Sequence, residues 1–435
     1  MTTSQSSEPI DIRLAIVVPY GGLDTIPFLC DLSEYLASRG YRVDIFEKAE
    51  SGSVQPNFSS DRIRVLPFPE SFGGQKSVSG VRLSSTPLRE PRPGIVSRIP
   101  GVPRARRVVA RIRPTVEALD PTRRTRWRRV ARLQYRVVIG VDAEGLLPAA
   151  SLSGAAHAAL VYYSLELLPS GDLSSLGERT LKRREARLSR AAALVIVQDP
   201  SRGRILEQDN GIDPSRFVYA PNAPTGAARR APSKWWHELF DLPSDRKVLL
   251  HAGGVGSWTG IDGLVEAASD LPDDWVLVVH SHDHGRDAAR IEQLRTHAPA
   301  GKVFFSDSSV TRQQYRALID GADAGVAFYI PEPGRWTMAN LTSLGLASGK
   351  FSYYLWCGLP VVVNSATSLG ELVEQEGVGI RVESAVGVGE AVRSVTANYR
   401  RLSDRAVEYF DSELDFAASA ERIGAAIDGL ARVRR

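Results

Sequence analysis

The sequence contains few cysteines, the residues that stabilise many secreted domains through disulfides and many small domains through bound metal ions. Its 435 residues include only two cysteines, Cys30 and Cys357, and neither belongs to a Cys-x-x-Cys pair. Two isolated cysteines exclude a disulfide framework and favour a reducing compartment. No apolar run reaches the roughly 18 residues of a membrane-spanning helix, and residues 1–9 are polar, without the apolar stretch of a signal peptide. We therefore expect a cytoplasmic protein.

The chain also carries little net charge, +4 in total, but this charge is unevenly distributed. Residues 89–136 hold 15 arginines and no lysine against three acidic residues, a net charge of +12, so the rest of the chain carries −8. A solvated basic insertion would explain this stretch. Val108, Val109, Ile112 and Val116 recur among the arginines at helical spacing, which favours instead a helix lying on an anionic membrane surface. No nucleic-acid-binding module accompanies the arginines, so we expect no nucleic acid partner.

The order of apolar runs predicts a doubly wound α/β protein. Short runs such as residues 12–18 and 159–163 suit parallel strands buried on both faces, and amphipathic helical segments separate them. A second alternation starts at Lys247 with the run KVLLHAGG and continues to Val363. We therefore predict two Rossmann-like domains facing a central cleft.

Domain boundaries follow from the same alternation. We predict the first domain at residues 1–225, with the Arg-rich stretch 89–136 inserted in it, and the second at 226–400. Residues 401–435 are predicted to be helical and to pack back toward the first domain. Ligands of open α/β sheets bind beyond the carboxyl ends of the strands, so the loops that follow the strands are the places to search for a site.

Residues 347–363, ASGKFSYYLWCGLPVVV, give the sequence a specific resemblance. They resemble the donor-binding helix and the following strand of GT-B glycosyltransferases, especially those of family 4. Residues 249–254 and 370–373 follow the order that this family would give. The resemblance implies the GT-B fold and transfer of a sugar from a nucleotide diphosphate sugar to an acceptor hydroxyl. It places the donor in the second domain and the acceptor in the first.

The resemblance, together with the strand-end positions, indicates the residues that would bind the donor. They lie in loops after strands and at the start of the helix near residue 350, where free N–H groups and a lysine suit a diphosphate. These predicted donor-binding residues are Gly253, Gly254, Arg335, Ser348, Gly349, Lys350 and Tyr353. These residues also have interpretations without a role in binding: Lys350 as a solvated lysine at a helix start, Arg335 as the partner of Glu332, and Tyr353 as a core residue.

The sequence departs from the family pattern at four positions. Family 4 enzymes carry an arginine and a lysine where this chain has Val255 and Thr259, and two glutamates where it has Gly345 and Tyr353. The missing cations leave Lys350 or Arg335 to balance the diphosphate. These departures also support an alternative, a non-catalytic glycosyltransferase-like subunit that binds a partner protein.

Carboxylates in the first domain are the candidates for contact with the acceptor. Asp142 and Glu166 follow predicted strands, where a base for the acceptor hydroxyl would be needed in an inverting reaction. Each is interpreted equally well as a helix cap or a surface acid without a role in the reaction. In a retaining enzyme, which the resemblance favours, the phosphate of the donor can take the proton and the acids orient the acceptor. Gly21 and Gly22, after the first strand, are predicted to approach the acceptor.

Other reaction classes have weaker support. The first strand is not followed by the Gly-x-Gly-x-x-Gly of a dinucleotide-dependent oxidoreductase. The histidines of residues 280–284 (HSHDH) lack further residues at ligand spacing, so we predict no metal and no cofactor besides the nucleotide sugar. The expected acceptor is a glycan, a glycolipid or a lipid-linked glycan in polysaccharide or glycoconjugate synthesis. Such an acceptor, with the basic stretch, suggests a peripheral protein on the inner membrane face.

Overall fold

The computed structural model describes residues 12–21, 23, 26–48, 56–69, 127–281, 287–308, 310–332 and 337–432. These residues form two parallel β-sheets, each flanked by helices. The predicted α/β class with two Rossmann-like domains is thereby confirmed.

The first sheet has seven strands in the order β3-β2-β1-β4-β5-β6-β7. Their bounds are β1 Arg13–Val18, β2 Arg42–Glu47, β3 Ile63–Pro67, β4 Tyr135–Val141, β5 Ala159–Tyr163, β6 Leu194–Val197 and β7 Phe217–Tyr219. The helices that lie entirely within the described residues between these strands are α1 Pro27–Ser38, α2 Asp142–Ala156, α3 Leu176–Ala191 and α4 Pro200–Asn210. The strand order reverses between β1 and β4, so the loops after these two strands open on the crevice where such sheets bind ligands.

Burial on both faces explains the apolar runs of the sheet. Leu14, Ile16 and Val18 of β1 belong to one core cluster, whereas Ala15 and Val17 belong to the cluster on the other face. Side chains of a strand alternate between faces, so a strand covered on both sides must be apolar at every position.

The second sheet has six strands in the order β10-β9-β8-β11-β12-β13, the same winding as the first. The strands are β8 Lys247–Ala252, β9 Trp275–His280, β10 Val303–Ser306, β11 Ala324–Ala327, β12 Val361–Asn364 and β13 Gly379–Val382. The helices are α5 Trp235–Phe240, α6 Ile261–Ala267, α7 Ala288–His297, α8 Arg312–Asp320, α9 Thr337–Thr342, α10 Gly349–Trp356, α11 Ser368–Glu376 and α12 Val388–Tyr409.

The last helix, α13 Phe416–Arg432, lies on the first sheet. A π-helical turn at Phe410–Leu414 ends α12 on the second domain, and Ile423 and Ile427 of α13 are fully buried in the core around α1. The chain therefore returns to the first domain at Phe416, within the region 401–435 for which packing toward that domain was expected.

Both passages of the chain between the domains lie side by side. The backbone N–H groups of Gly226 and Ala228 donate to Asp415 and Asp411, at 2.9 and 2.7 Å. The Trp356 indole Nε1 donates to the Gly226 carbonyl oxygen at 2.8 Å. The two crossings are thus hydrogen-bonded into one connection.

Part of the Arg-rich stretch belongs to the first domain itself. Trp127 is buried, with edge contacts to the rings of Phe46 and Phe68 at centroid distances of 5.3 and 5.7 Å, and β4 begins at Tyr135. The insertion predicted for residues 89–136 therefore does not extend over 127–136. Residues 89–126 lie outside the described part of the chain.

Candidate active site

The loop after β8 brings a glycine against a lysine side chain. Gly253 has a φ of +141°, and a Cβ built there would lie 3.3 Å from Cδ of Lys350. A side chain at 253 would meet both a strained backbone and the lysine, so only glycine lets Lys350 lie over this loop. Gly253, Gly254 and Lys350, all predicted to bind the donor, are thus brought together.

The amine of Lys350 is the most unusual polar group of this region. Its Nζ is buried and has no hydrogen-bond partner among the residues that the structure describes. It lies 5.0 Å from the ring centroid of Tyr329 and 5.9 Å from that of Trp258, within cation–π range. Burial lowers the pKa of Lys350 to about 7. A buried amine that meets only aromatic faces is prepared for an anionic ligand.

The start of α10 is rigidly held beside this amine. Ser348 is the N-cap, and its Oγ accepts from the Phe351 N–H at 3.3 Å and shares a 2.8 Å hydrogen bond with the Tyr329 hydroxyl. Apart from the adjacent residues and the backbone of the helix itself, no atom of the described chain lies within 4 Å of a Cβ built on Gly349. The first N–H groups of a helix have no intrahelical acceptor and carry the positive end of the helix dipole, so this open turn suits a phosphate.

Two aromatic side chains complete the second-domain part of the site. Trp258, in the turn Ser257–Thr259, stacks on Tyr329 with centroids 6.1 Å apart and planes 19° apart. Tyr329 was not among the predicted binding residues, although its position directly after the apolar run of residues 324–328 was a usable signal.

Tyr353 lies one turn after Lys350 and is 8% exposed. Its ring makes edge contacts with Tyr315 and Trp356, at centroid distances of 5.2 and 5.9 Å. These contacts agree with the alternative interpretation of Tyr353 as a core residue. Its predicted role in donor binding stays a prediction.

Asp142 organises the carboxyl edge of the first sheet. It is 4% exposed, has a φ of +54° and is the first residue of α2. Its Oδ1 accepts from the backbone N–H groups of Leu165 and Glu166, both at 2.8 Å, and its Oδ2 accepts from the Tyr20 hydroxyl at 2.9 Å. Burial, and next the nearby Glu166, raise the pKa of Asp142 to about 8. Asp142 thus positions the loop that carries Glu166.

Glu166, the second predicted acid, lies in this loop after β5. Burial raises the pKa of its carboxyl group, and the positive charge of Arg202 opposes that rise. Arg202 is 1% exposed and donates to the Leu165 carbonyl oxygen at 2.8 Å and to Oδ1 of Asn340, on α9 of the second domain, at 3.0 Å. The loop of Glu166 is therefore joined to the second domain through Arg202 and Asn340.

A second contact joins the domains next to the start of α10. Oδ2 of Asp199, the N-cap of α4, accepts from the Leu346 N–H at 3.3 Å. The Asn222 backbone N–H and Nδ2 donate to the carbonyl oxygens of Leu346 and Ala347, at 2.9 and 3.0 Å. The segment before Lys350 is thus held by the first domain, which relates the two edges of the cleft.

The remaining predicted site residues divide by position. Gly21 is buried just after Tyr20, the residue that donates to Asp142. Gly22, Arg335 and residues 282–286 of the histidine-rich loop lie outside the described residues. Within the described ranges, no group of three or more His, Cys, Asp or Glu side chains is arranged to hold a metal ion.

A comparison with known protein families matches part of the chain. Residues 346–416 match the family model of the glucosyltransferase 3-like C-terminal domain, a segment that begins just before Lys350 and ends with the crossing to the first domain. No curated protein sequence matches the chain.

Solved structures match nearly the whole length. HepE from Anabaena, in complex with UDP and glucose, has a TM-score of 0.64 at 15% identity, over 96% of this chain and 100% of its own. Sucrose-phosphate synthase from Thermosynechococcus elongatus has a TM-score of 0.63 at 18% identity, over 96% and 99%. WaaG, a glycosyltransferase involved in lipopolysaccharide biosynthesis, has a TM-score of 0.53 at 16% identity, over 96% and 100%. The chain has the GT-B fold.

In GT-B terms, the described residues supply both edges of the cleft. Gly253, Gly254 and the start of α10 lie on the second-domain edge, and Asp142 and Glu166 on the first-domain edge. The predicted resemblance to GT-B glycosyltransferases is confirmed by the fold and by the match over 346–416. None of the helices in the described ranges is both apolar enough and long enough to cross a bilayer.

Proposed function

We propose that the protein is a glycosyltransferase that moves a sugar from a nucleotide diphosphate sugar to an acceptor hydroxyl. The observation that carries this proposal is the buried amine of Lys350, which lies over Gly253 beside the start of α10 and has no partner among the described residues. The match of residues 346–416 to a glucosyltransferase-like domain supports the same conclusion.

The donor diphosphate binds between the Gly253–Gly254 loop and α10. As the bond to the sugar breaks, negative charge grows on the diphosphate, and donors fixed in a water-poor site stabilise it strongly. The ammonium of Lys350 and the N–H groups of the first turn of α10 supply there the positive charge that a metal ion supplies in other enzymes, so the proposed reaction uses no metal. Because the apolar surroundings disfavour an unpaired ammonium, the diphosphate also draws a proton onto Lys350 when it binds.

The acceptor binds at the edge of the first domain, where Glu166 meets its hydroxyl. Asp142 is a positioning residue, since both its oxygens hold the Glu166 loop and Tyr20. We propose a retaining reaction in which the donor phosphate takes the hydroxyl proton and Glu166 orients the acceptor. Saccharides of glycans or lipid-linked glycans have several hydroxyls, and the orienting carboxylate selects one of them.

Donor binding gives the first test. UDP-glucose is the first donor to try, because HepE was solved in complex with it; GDP- and dTDP-sugars follow. Calorimetry should show binding by the wild type and a loss of roughly tenfold or more in Lys350→Met, which removes the charge but retains much of the chain length. Lys247→Met is the matched control, because Lys247 lies at the opposite end of β8 and pairs with Asp274 at 2.6 Å. If the wild type binds no nucleotide sugar, the proposal is wrong.

We propose further that the basic stretch binds anionic membranes and brings the protein to a lipid-linked acceptor. Arg128 and Arg129, at the described end of this stretch, are exposed. Their joint replacement by glutamate should weaken binding to vesicles of anionic phospholipid, since each basic residue near such a surface is worth about 1 kcal/mol. The control replaces Arg400 and Arg401, which are exposed on α12. Equal binding by both variants and the wild type would exclude this surface.

A further inference from the structure

We propose that Trp258 is a donor-binding residue whose indole N–H donates to the diphosphate and takes over part of the work of the missing cation pair. This inference rests on the proposed function and adds a residue to the same site. It concerns a side chain that lies between the two positions, Val255 and Thr259, where the resemblance leads one to expect arginine and lysine.

The position of Trp258 places its ring beside the glycine loop. A Cβ built on Gly254 would lie 3.7 Å from Cζ2 of the indole, in ordinary contact. Cζ2 is the ring atom next to the carbon that carries Nε1, so the N–H side of the indole is the side close to the loop. The same ring lies 5.9 Å from Nζ of Lys350. The loop, the amine and the indole thus lie close to one another.

Two hydrogen-bond donors beside this loop have no acceptor among the residues that the structure describes. Nε1 of Trp258 and Nζ of Lys350 are both buried, and neither has a partner among the described residues. A buried donor without an acceptor costs free energy, which is regained when a ligand supplies the acceptor. A diphosphate offers several oxygen atoms, enough for both groups at once. A neutral N–H also needs no counter-charge, unlike the arginine and lysine of the family pattern.

The turn that carries Trp258 is fixed in advance. The Trp258 carbonyl oxygen accepts from the Ile330 N–H at 2.8 Å, and Ser257 Oγ donates to Glu332 at 2.8 Å. Tyr329, on which the indole stacks, is held by Asn364 through both its N–H and its carbonyl oxygen, at 3.0 and 2.7 Å. Because the donor group does not have to be ordered on binding, its hydrogen bond contributes fully to affinity.

The ring itself has a separate task, to stabilise the ammonium of Lys350. The faces of Trp258 and Tyr329 attract a cation that pairs with no carboxylate in the described ranges. Replacement by phenylalanine keeps an aromatic face and removes the N–H, whereas replacement by leucine removes both. The two variants therefore separate the hydrogen bond from the cation–π contact.

The experiment measures binding of UDP and of inorganic pyrophosphate by calorimetry, together with the melting temperature. Trp258→Phe should bind both probes roughly tenfold more weakly, and Trp258→Leu more weakly still. Trp236→Phe is the matched control: the Trp236 indole Nε1 is likewise buried without a partner in the described chain, but its ring packs on Phe240 and His280. This control should change the melting temperature and leave both affinities unchanged.

The outcomes separate the inference from the proposed function. If Trp258→Phe binds both probes as the wild type does while Lys350→Met loses them, the role of Trp258 is wrong and the donor site stands. If Trp236→Phe weakens binding as much as Trp258→Phe, the effect is one of folding and the inference is also wrong. If the wild type binds neither UDP nor pyrophosphate, the inference and the UDP donor site fall together.

Discussion

The carboxylate of Asp199 fills the space that a side chain at Gly345 would need. A Cβ at residue 345 would lie 2.8 Å from Oδ2 of Asp199, and the φ of Gly345 is +40°. Asp199 belongs to the first domain and Gly345 to the second. The absence of a glutamate at 345 therefore has a local cause, because an acid from the other domain already occupies this place.

Substitution of Gly345 should accordingly destabilise the protein. Gly345→Ala creates both a steric clash and backbone strain, so we expect a cost of about 1–3 kcal/mol and a lower melting temperature. The control is Gly429→Ala in α13, where the new Cβ would meet no atom of the described residues within 4 Å outside its own helix backbone, and alanine should stabilise the helix slightly. An unchanged melting temperature in Gly345→Ala would contradict the contact with Asp199.

The buried amine of Lys350 predicts a dependence of stability on pH. Its pKa is about 7 in the folded protein and about 10.4 in an unfolded chain. Between these values the unfolded state binds more protons, so the contribution of Lys350 to stability rises with pH. Lys350→Met should therefore be more stable than the wild type, most of all at pH 6, where the difference in the free energy of unfolding is on the order of a few kcal/mol. The corresponding difference in melting temperature should become progressively smaller toward pH 10.

The control for this series is Lys247→Met, which removes an ion-paired lysine near the surface. Its melting temperature should differ from that of the wild type by a small amount that is nearly constant from pH 6 to 9. A constant difference for Lys350→Met as well would show that its amine is not desolvated.

Asp142 predicts a pH dependence of the opposite sign. The folded protein holds this proton to about pH 8, whereas an unfolded chain releases it near 3.9. The folded state binds more protons in that interval, so the stabilising contribution is complete below about pH 4 and is lost as the pH rises to 8. Asparagine cannot ionise and tolerates a positive φ, so the stability of Asp142→Asn relative to that of the wild type should rise from pH 4 to pH 8.

Asp142→Ala serves as the comparison, because it removes the acceptor of the Leu165 and Glu166 N–H groups. Two buried donors without a partner should leave Asp142→Ala about 2–5 kcal/mol less stable than Asp142→Asn at every pH, since neither variant ionises at this position. If the melting temperatures of Asp142→Asn and of the wild type change in parallel from pH 4 to 8, the raised pKa of Asp142 is refuted.

An ion pair between α1 and α8 gives a measurable coupling between the domains. Arg312 donates to both carboxylate oxygens of Asp31, and Thr225 Oγ1 donates to Oδ2 of Asp31 at 2.9 Å. The Arg312 side chain is 50% exposed, so the pair should be worth only about 0.5–1 kcal/mol. A double-mutant cycle with Asp31→Ala and Arg312→Ala measures this energy, and strict additivity of the two changes would mean that the pair contributes nothing.

The elements that could be predicted are those with a local signal. β5 lies at the predicted residues 159–163, and β8 begins at Lys247, where the second alternation was predicted to start, since each is a local apolar run. α2 was missed because it is buried on several sides and contains Pro148, so it has no clear amphipathic period. β13 was missed because it is short and only half-buried, with a pattern that resembles a loop.

The same distinction applies to the site. Lys350 could be found from the sequence, because a Ser-Gly-Lys start of a helix is a local pattern. The contact of Asp199 with Leu346 joins residues 147 positions apart, and no local pattern announces it. The aromatic surroundings of Lys350 likewise come from two loops, after β8 and after β11, that only the folded sheet brings together.

The placement of α13 has a consequence for synthesis of the chain on the ribosome. Phe416, Ile423 and Ile427 fill the core around α1, so the first domain lacks part of its interior until the last helix has emerged. The second domain, whose sheet is complete at Val382, can therefore finish folding before the first, although it is translated later. The order of completion is thus the reverse of the order of translation, and a ribosome-bound chain ending before Phe416 should expose the apolar face of α1 to chaperones.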